Sequence, residues 1–451
     1  GQFPRQGPGD HPRQGLMPPE PNPPGGRTPG SRRAAEVVVV TTALLTFIPW
    51  WRAAAVVLCD MASTVYYVGG IAERAVGPAA PWFVLAVMLF AATLAMMYVE
   101  SCSMFVRGGV YRVVKEAMGN SAAKLSVSAL MFDYLLTAPI SAVSAGQYFV
   151  GLLNSVFPHL NIGWVVPTGA GSVVAAVLVT LYFWRKNIKG IEESSEQSQT
   201  IMVLTTVMGV ILLGWSGYTL AVRGLHFPSF HLEMSEESLG WLHGVDWART
   251  IGAFGVLIAF GHSMLGVSGL ETIAQVYREI EAPKLPNLKK AAIMIVLYSL
   301  VLTGLSTLAA AMIIPDDVRL ALYHDNLLSG LAMYLQGPLP LRLVFQAFVV
   351  VVGVLILSGA VNAAIFASNS VLNRLAEDGI LTDWFRALHP KFGTTYRMVN
   401  MVVALQLLLI LASGGDVYVL GEAYAFGVIW SFVFKIAAVI VLRFKRTSVR
   451  E

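Results

Sequence analysis

The sequence predicts an all-α integral membrane protein of about ten membrane-crossing helices, five in each of two inverted halves, with the first helix of each half interrupted. Three observations carry this. Of the chain's 451 residues, 56% are hydrophobic and 13% charged, with a mean hydropathy of +0.65, against about 25% charged in a soluble domain. Apolar windows of about 20 residues, the length that crosses a bilayer, recur from residue 53 to 442. Two aspartates, Asp60 and Asp133, lie inside such windows. A carboxylate there costs roughly 2.5–3.5 kcal/mol by insertion scales unless it faces a cavity, a partner or an ion.

Taken in order, residues 1–33 are rich in Pro and Gly with scattered Arg, and cannot bury a core. They are expected to form a disordered cytoplasmic tail, and they lack the apolar centre of a secretory signal. The membrane domain is expected over 34–446, followed by a tail at 447–451. The apolar stretch 37–50 is too short for a crossing and reads as an in-plane helix or the start of a tilted first span. Spans are expected near 53–76, 81–105, 125–153, 163–184, 200–222, 250–275, 289–314, 343–373, 397–413 and 419–442.

Loops after even-numbered spans hold fifteen Lys and Arg, among them Arg112, Lys186, Lys290 and Arg397, against five on the other side. The positive-inside rule therefore puts the amino terminus and the even loops in the cytoplasm, in a plasma or inner membrane. Five spans per half then start the second half from the opposite side, as an inverted repeat requires.

The chemistry lies in spans 1, 3 and 6. Span 1 reads CDMASTVYYVGG over 59–70 and span 6 reads GHSMLGVSGLETIAQ over 261–275. Both combine small hydroxyl residues and glycine with a carboxylate, at corresponding places in the two halves. A helix broken there frees carbonyls that can replace an ion's hydration shell, with Ser63, Thr64, Ser268 and Glu271 as candidate ligands. The same small residues also let helices pack closely. In span 3, Asp133 and Tyr134 precede Thr137, Pro139, Ser141 and Ser144, a run of hard oxygen ligands suited to alkali ions or protons. Lys435 in span 10 reads as a snorkelling or structurally paired amine. Cys59 and Cys102 fit neither a disulfide nor a metal site. Histidines show no paired ligand spacing, and no phosphate-binding loop precedes a helix. An enzyme, a cofactor and a nucleic-acid partner are therefore not expected.

Three further motifs carry a resemblance. FVRGGVYRVVKEAMG (105–119), GVSGLETIAQVYREIEAP (266–283) and NSVLNRLAEDGILTDWFRALHPKFGT (369–394) resemble the ends of helices 2, 6 and 8 in the amino acid–polyamine–organocation superfamily. That implies the leucine-transporter fold of five plus five inverted helices, with helices 1 and 6 discontinuous. Within it the chain is similar to the cyclic-di-AMP-regulated, Kup-like bacterial potassium importers, through Asp60 with Tyr67, the stretch DYLLTAPISAVSAG from Asp133, and YAFGV around Tyr424. The resemblance implies potassium held by Asp60, Asp133, Tyr134 and Tyr424, with Tyr67 at or near the site. It also implies alternating access, with helices 1, 2, 6 and 7 rocking against 3, 4, 8 and 9.

Those importers add spans and a soluble nucleotide-binding domain that nothing in this chain matches, so nucleotide control is not part of the expectation. Protons are the expected coupling ion, carried by Asp60 or Glu271. Sodium is the alternative, with Ser368 and Ser370 as added ligands. An ionised Asp60 repels a substrate carboxylate, which favours a cation over a zwitterion; an amino acid or polyamine remains the alternative substrate. A homodimer is compatible with the sequence but not required by it.

Overall fold

The computed structural model describes residues 47–105, 109–190, 195–239, 252–377, 379 and 381–445. The expected terminal tails, and residues 37–46 of the short apolar stretch, lie outside them. Among the described residues, nine helical stretches are long and apolar enough to cross a membrane. The first, Trp50–Met104, has 55 residues and would reach about 80 Å if straight. It turns at Gly77–Ala79, where Gly77 sits at φ +70° with Pro78 following, and so holds two crossings.

The ten crossings are α1 (α1a Trp50–Met61 and α1b Val68–Val76), α2 (Ala80–Met104), α3 (Asn120–Val156), α4 (Thr168–Ile188) and α5 (Ser195–Arg223). They continue with α6 (α6a Gly252–Ser263 and α6b Thr272–Val276), α7 (Lys284–Ile313), α8 (Leu339–Glu377), α9 (Tyr396–Ser413) and α10 (Val417–Lys445). The fold is all-α, five plus five, with the first helix of each half broken.

Each break follows from local sequence. After Met61 the chain tightens into a 3-10 turn at Ala62–Tyr66, because the Ser63 and Thr64 hydroxyls bond back to the carbonyls of Asp60 and Met61 at 2.6 and 2.7 Å. In α6 the 3-10 turn Met264–Val267 is followed by extended Ser268 and by Gly269 at φ +88°, a conformation that costs a side-chain-bearing residue about 1–2 kcal/mol.

Two groups of helices result. α1a packs on α7, α1b on α6a, and α2 on both α6 and α7. α3, at 37 residues, packs along α8, at 39, and the two join α4 and α9. Tyr66 ties the first break to the second group: a Cβ on Gly353 of α8 would come within 2.4 Å of its ring, and its hydroxyl donates to the Val349 carbonyl at 3.4 Å.

Burial shows how three polar groups sit. Of the two readings of Lys435, structural pairing holds: it is 1% exposed, donates to Ser101 Oγ at 2.7 Å and stands over the Tyr98 ring. Glu271, a candidate ligand on the sequence, is buried at 4% exposure. Arg319, one of the five basic residues in the loops after odd-numbered spans, is fully buried and pairs with Glu73 of α1b at 2.5 Å.

Candidate ion site

The two breaks face each other, and Asp60 meets the second at the Ser268-Gly269 dipeptide. A Cβ on Gly269 would fall 2.9 Å from Asp60 Cγ and 3.0 Å from Asp60 Oδ2. Only glycine lets the Asp60 carboxylate lie against this backbone. From the other side, α3 brings Asp133, whose Oδ1 accepts from Ser268 Oγ at 3.4 Å. Both carboxylates therefore reach one dipeptide.

Tyr424 of α10 completes the cluster. Its hydroxyl accepts from Thr137 Oγ1 at 2.8 Å and is closely bonded to Ser268 Oγ. Thr137 itself bonds the Asp133 carbonyl at 3.0 Å, so one threonine fixes both the tyrosine and the turn of α3 bearing the aspartate. Tyr67 lies beside Asp60, Ser63 and Tyr424. Ser63 and Thr64 direct their protons to backbone carbonyls, Thr64 also reaching Gly266 O at 3.2 Å. Their oxygens keep lone pairs for a cation.

Charge and burial set what this cluster can do. Asp60 and Asp133 are 8% and 1% exposed, and no lysine or arginine pairs with either among the described residues. Asp133 Oδ2 has no hydrogen-bond partner. Buried acids left so are compensated by a proton or a bound cation. The available donors of electron pairs are all oxygens, the chemistry that hard monovalent cations and protons accept.

Two expected residues stand apart. Tyr134 turns toward α6b, where its hydroxyl accepts from Gln275 Nε2 at 2.7 Å, and it belongs to a neighbouring group with Glu271 and Tyr98. Neither Glu271 carboxylate oxygen has a side-chain donor; the backbone N–H groups of Gly269 and Glu271 are its nearest. Gln275 and Tyr98 carry no warning in the sequence, because a lone glutamine or tyrosine in a span reads as packing. Ser141, Ser144 and Ser368 are buried with unpartnered hydroxyls, away from the dipeptide contacts.

A vestibule of about 440 Å³ runs from Gly190 and Thr394 in the basic loops, past the bonded pair Asn187–Asn362, to Asp60. On the opposite side α1b packs closely against the segment before α8. A Cβ on Gly70 would meet the His324 carbonyl at 1.6 Å. Arg319 locks Glu73 while also donating to Ile314 O at 2.8 Å and Asp316 Oδ1 at 2.7 Å.

Two broken helices meeting around buried acids, within a bundle of membrane-length helices and beside a vestibule, are the architecture of a membrane permease. Residues 48–451 match the amino acid permease family, and the chain belongs to it. It is similar to the potassium transporter KimA of Bacillus subtilis (strain 168), 25% identical over 329 residues, which is 72% of this chain and 48% of KimA. It is also similar to the methylthioribose transporter of the same organism, 23% identical over 412 residues, or 87% and 80% of the two chains. The chain thus spans about half the length of KimA.

Proposed function

We propose that this permease is a secondary transporter that takes up a monovalent cation, potassium in particular, driven by protons. The supporting observation is the all-oxygen cluster of Asp60, Asp133, Ser268 and Tyr424, acidic and without a basic partner among the described residues. A dehydrated potassium ion needs several hard oxygens and a compensating negative charge, and this cluster offers both. Similarity to a potassium transporter points the same way.

The group α1, α2, α6 and α7 moves against α3, α4, α8 and α9, carrying the site from the side of the Glu73 and Arg319 pair to the vestibule. In this reading the vestibule faces the cytoplasm across a plasma or inner membrane, which the basic loops around it support. Glu271, buried and with no side-chain donor beside the site, carries the coupling proton. A protonated amine is the second reading: two carboxylates also suit an ammonium group, and the second relative transports a different small molecule.

The test is rubidium uptake by cells lacking their own potassium importers. Uptake that needs Asp133 and collapses with a proton uncoupler supports the proposal. Protein present in the membrane with no rubidium uptake overturns it, and amino acids and polyamines are then screened.

A further inference from the structure

A second concavity lies on the lipid-facing side, far from the carboxylates. It is a groove of about 620 Å³ between α5 and α7, capped near the basic face by Trp50 at the start of α1a. Its walls are apolar side chains such as Val210, Leu213, Ile293 and Leu297. Val210, Ile293 and Leu297 are 67%, 61% and 56% exposed, and in a membrane protein such exposure means contact with lipid. Its one charged lining residue is Lys290, which stands exposed on the basic face with no acidic partner among the described residues. The groove runs along α7 from Lys290 to Val301, about 17 Å at 1.5 Å per residue. One leaflet of the hydrocarbon core is about 15 Å deep.

Local sequence makes this hollow. Gly209 lets Leu302 approach α5 so closely that a Cβ there would sit 2.7 Å from Leu302 Cδ1. The same stretch of α7, Leu300–Leu305, is wound as a π-helix, which widens the turn and displaces side chains from the regular stripe. The polar groups within are already satisfied, Thr206 and Tyr298 bonding each other at 3.1 Å, so the groove asks for an apolar occupant with an anionic end at Lys290.

We propose that this groove is a binding site for one acyl chain of an anionic phospholipid, with its phosphate on Lys290. The inference goes beyond the transported substrate and is independent of it.

The test uses the full chain in detergent, with phosphatidylglycerol or phosphatidylcholine added, read by native mass spectrometry and by thermal melting. The expected result is one tightly retained phosphatidylglycerol and a higher melting midpoint than with phosphatidylcholine. One lysine near an anionic headgroup is worth roughly a fivefold change in affinity. Lys290→Gln, an exposed substitution that leaves the fold intact, should reduce the phosphatidylglycerol preference by about that factor. Val210→Trp, which fills the groove, should abolish retention of either lipid while preserving the melting midpoint in phosphatidylcholine. Equal retention of both lipids by the wild type, or an unchanged preference in Lys290→Gln, overturns the proposal. So does a two-copy mass without retained lipid, which would put a second chain on this face.

Discussion

Replacing Gly269 by alanine tests the contact on which the site depends. Its φ of +88° costs an alanine about 1–2 kcal/mol. The added methyl would also lie 2.8 Å from Met61 N and 2.9 Å from Asp60 Cγ. Backbone cannot yield as a flexible side chain can, so overpacking adds about 1–3 kcal/mol. Together these give about 2–5 kcal/mol, below the usual stability of a folded domain. The protein should therefore fold and relieve the strain by moving Asp60 away from Ser268. If about 2 kcal/mol falls on the ion-bound geometry, affinity drops roughly 30-fold. Rubidium uptake at subsaturating concentration reads this loss, with thermal melting as a check on folding. Gly261→Ala on the same helix is the control, because its nearest neighbour, Ile429 Cδ1, would lie at 3.6 Å. Wild-type uptake and melting in Gly269→Ala would refute the facing-break geometry.

Further predictions concern the neighbours of that contact. Glu271→Gln should leave rubidium movement down its own gradient intact while removing its acceleration by an inward proton gradient; retained acceleration assigns the proton elsewhere. Arg319→Met should cost about 3–5 kcal/mol by stranding buried Glu73, and Glu73→Leu combined with it should recover most of the loss in melting assays. His324, in the loop before α8, has its pKa raised above the ordinary value of about 6.5 by its bond to Asp325, Nε2 to Oδ2 at 3.2 Å. A raised folded value stabilises the fold below the unfolded pKa, and that stability is lost as pH rises through the folded value. The melting midpoint should therefore fall from about pH 6 to about pH 8 by more in the wild type than in His324→Gln.

Much of the fold was legible because a bilayer fixes span length and forces backbone bonds to close locally. The runs around Asp60 and Gly269 announced both breaks through small and hydroxyl residues. Asp60 and Asp133 stood out because a membrane-depth acid is costly, and Tyr424 came only through resemblance. The rest was hidden because it depends on pairing across long sequence separations. Arg319 and Glu73 are 246 residues apart, and neither differs in the sequence from an ordinary charge near a loop. Tyr134 adjoins Asp133 in sequence, yet one residue of helix turns it about 100° away, toward Gln275. For Lys435 the sequence left snorkelling and structural pairing open, because the packing of α10 against α2 that decides for pairing with Ser101 is not visible in either helix alone.

The most direct measurement is rubidium binding to the purified protein by titration calorimetry, with and without Asp133→Asn. The substitution keeps shape and hydrogen bonding but removes the charge facing the unpartnered side of the site, where Asp133 Oδ2 lies. A charged hydrogen-bonding partner is worth about 1.5–3 kcal/mol, so binding should weaken roughly 10- to 150-fold, and potassium should compete for it in the wild type. Rubidium binding that is unaltered by Asp133→Asn, or absent while an amino acid or polyamine binds saturably, would contradict the account.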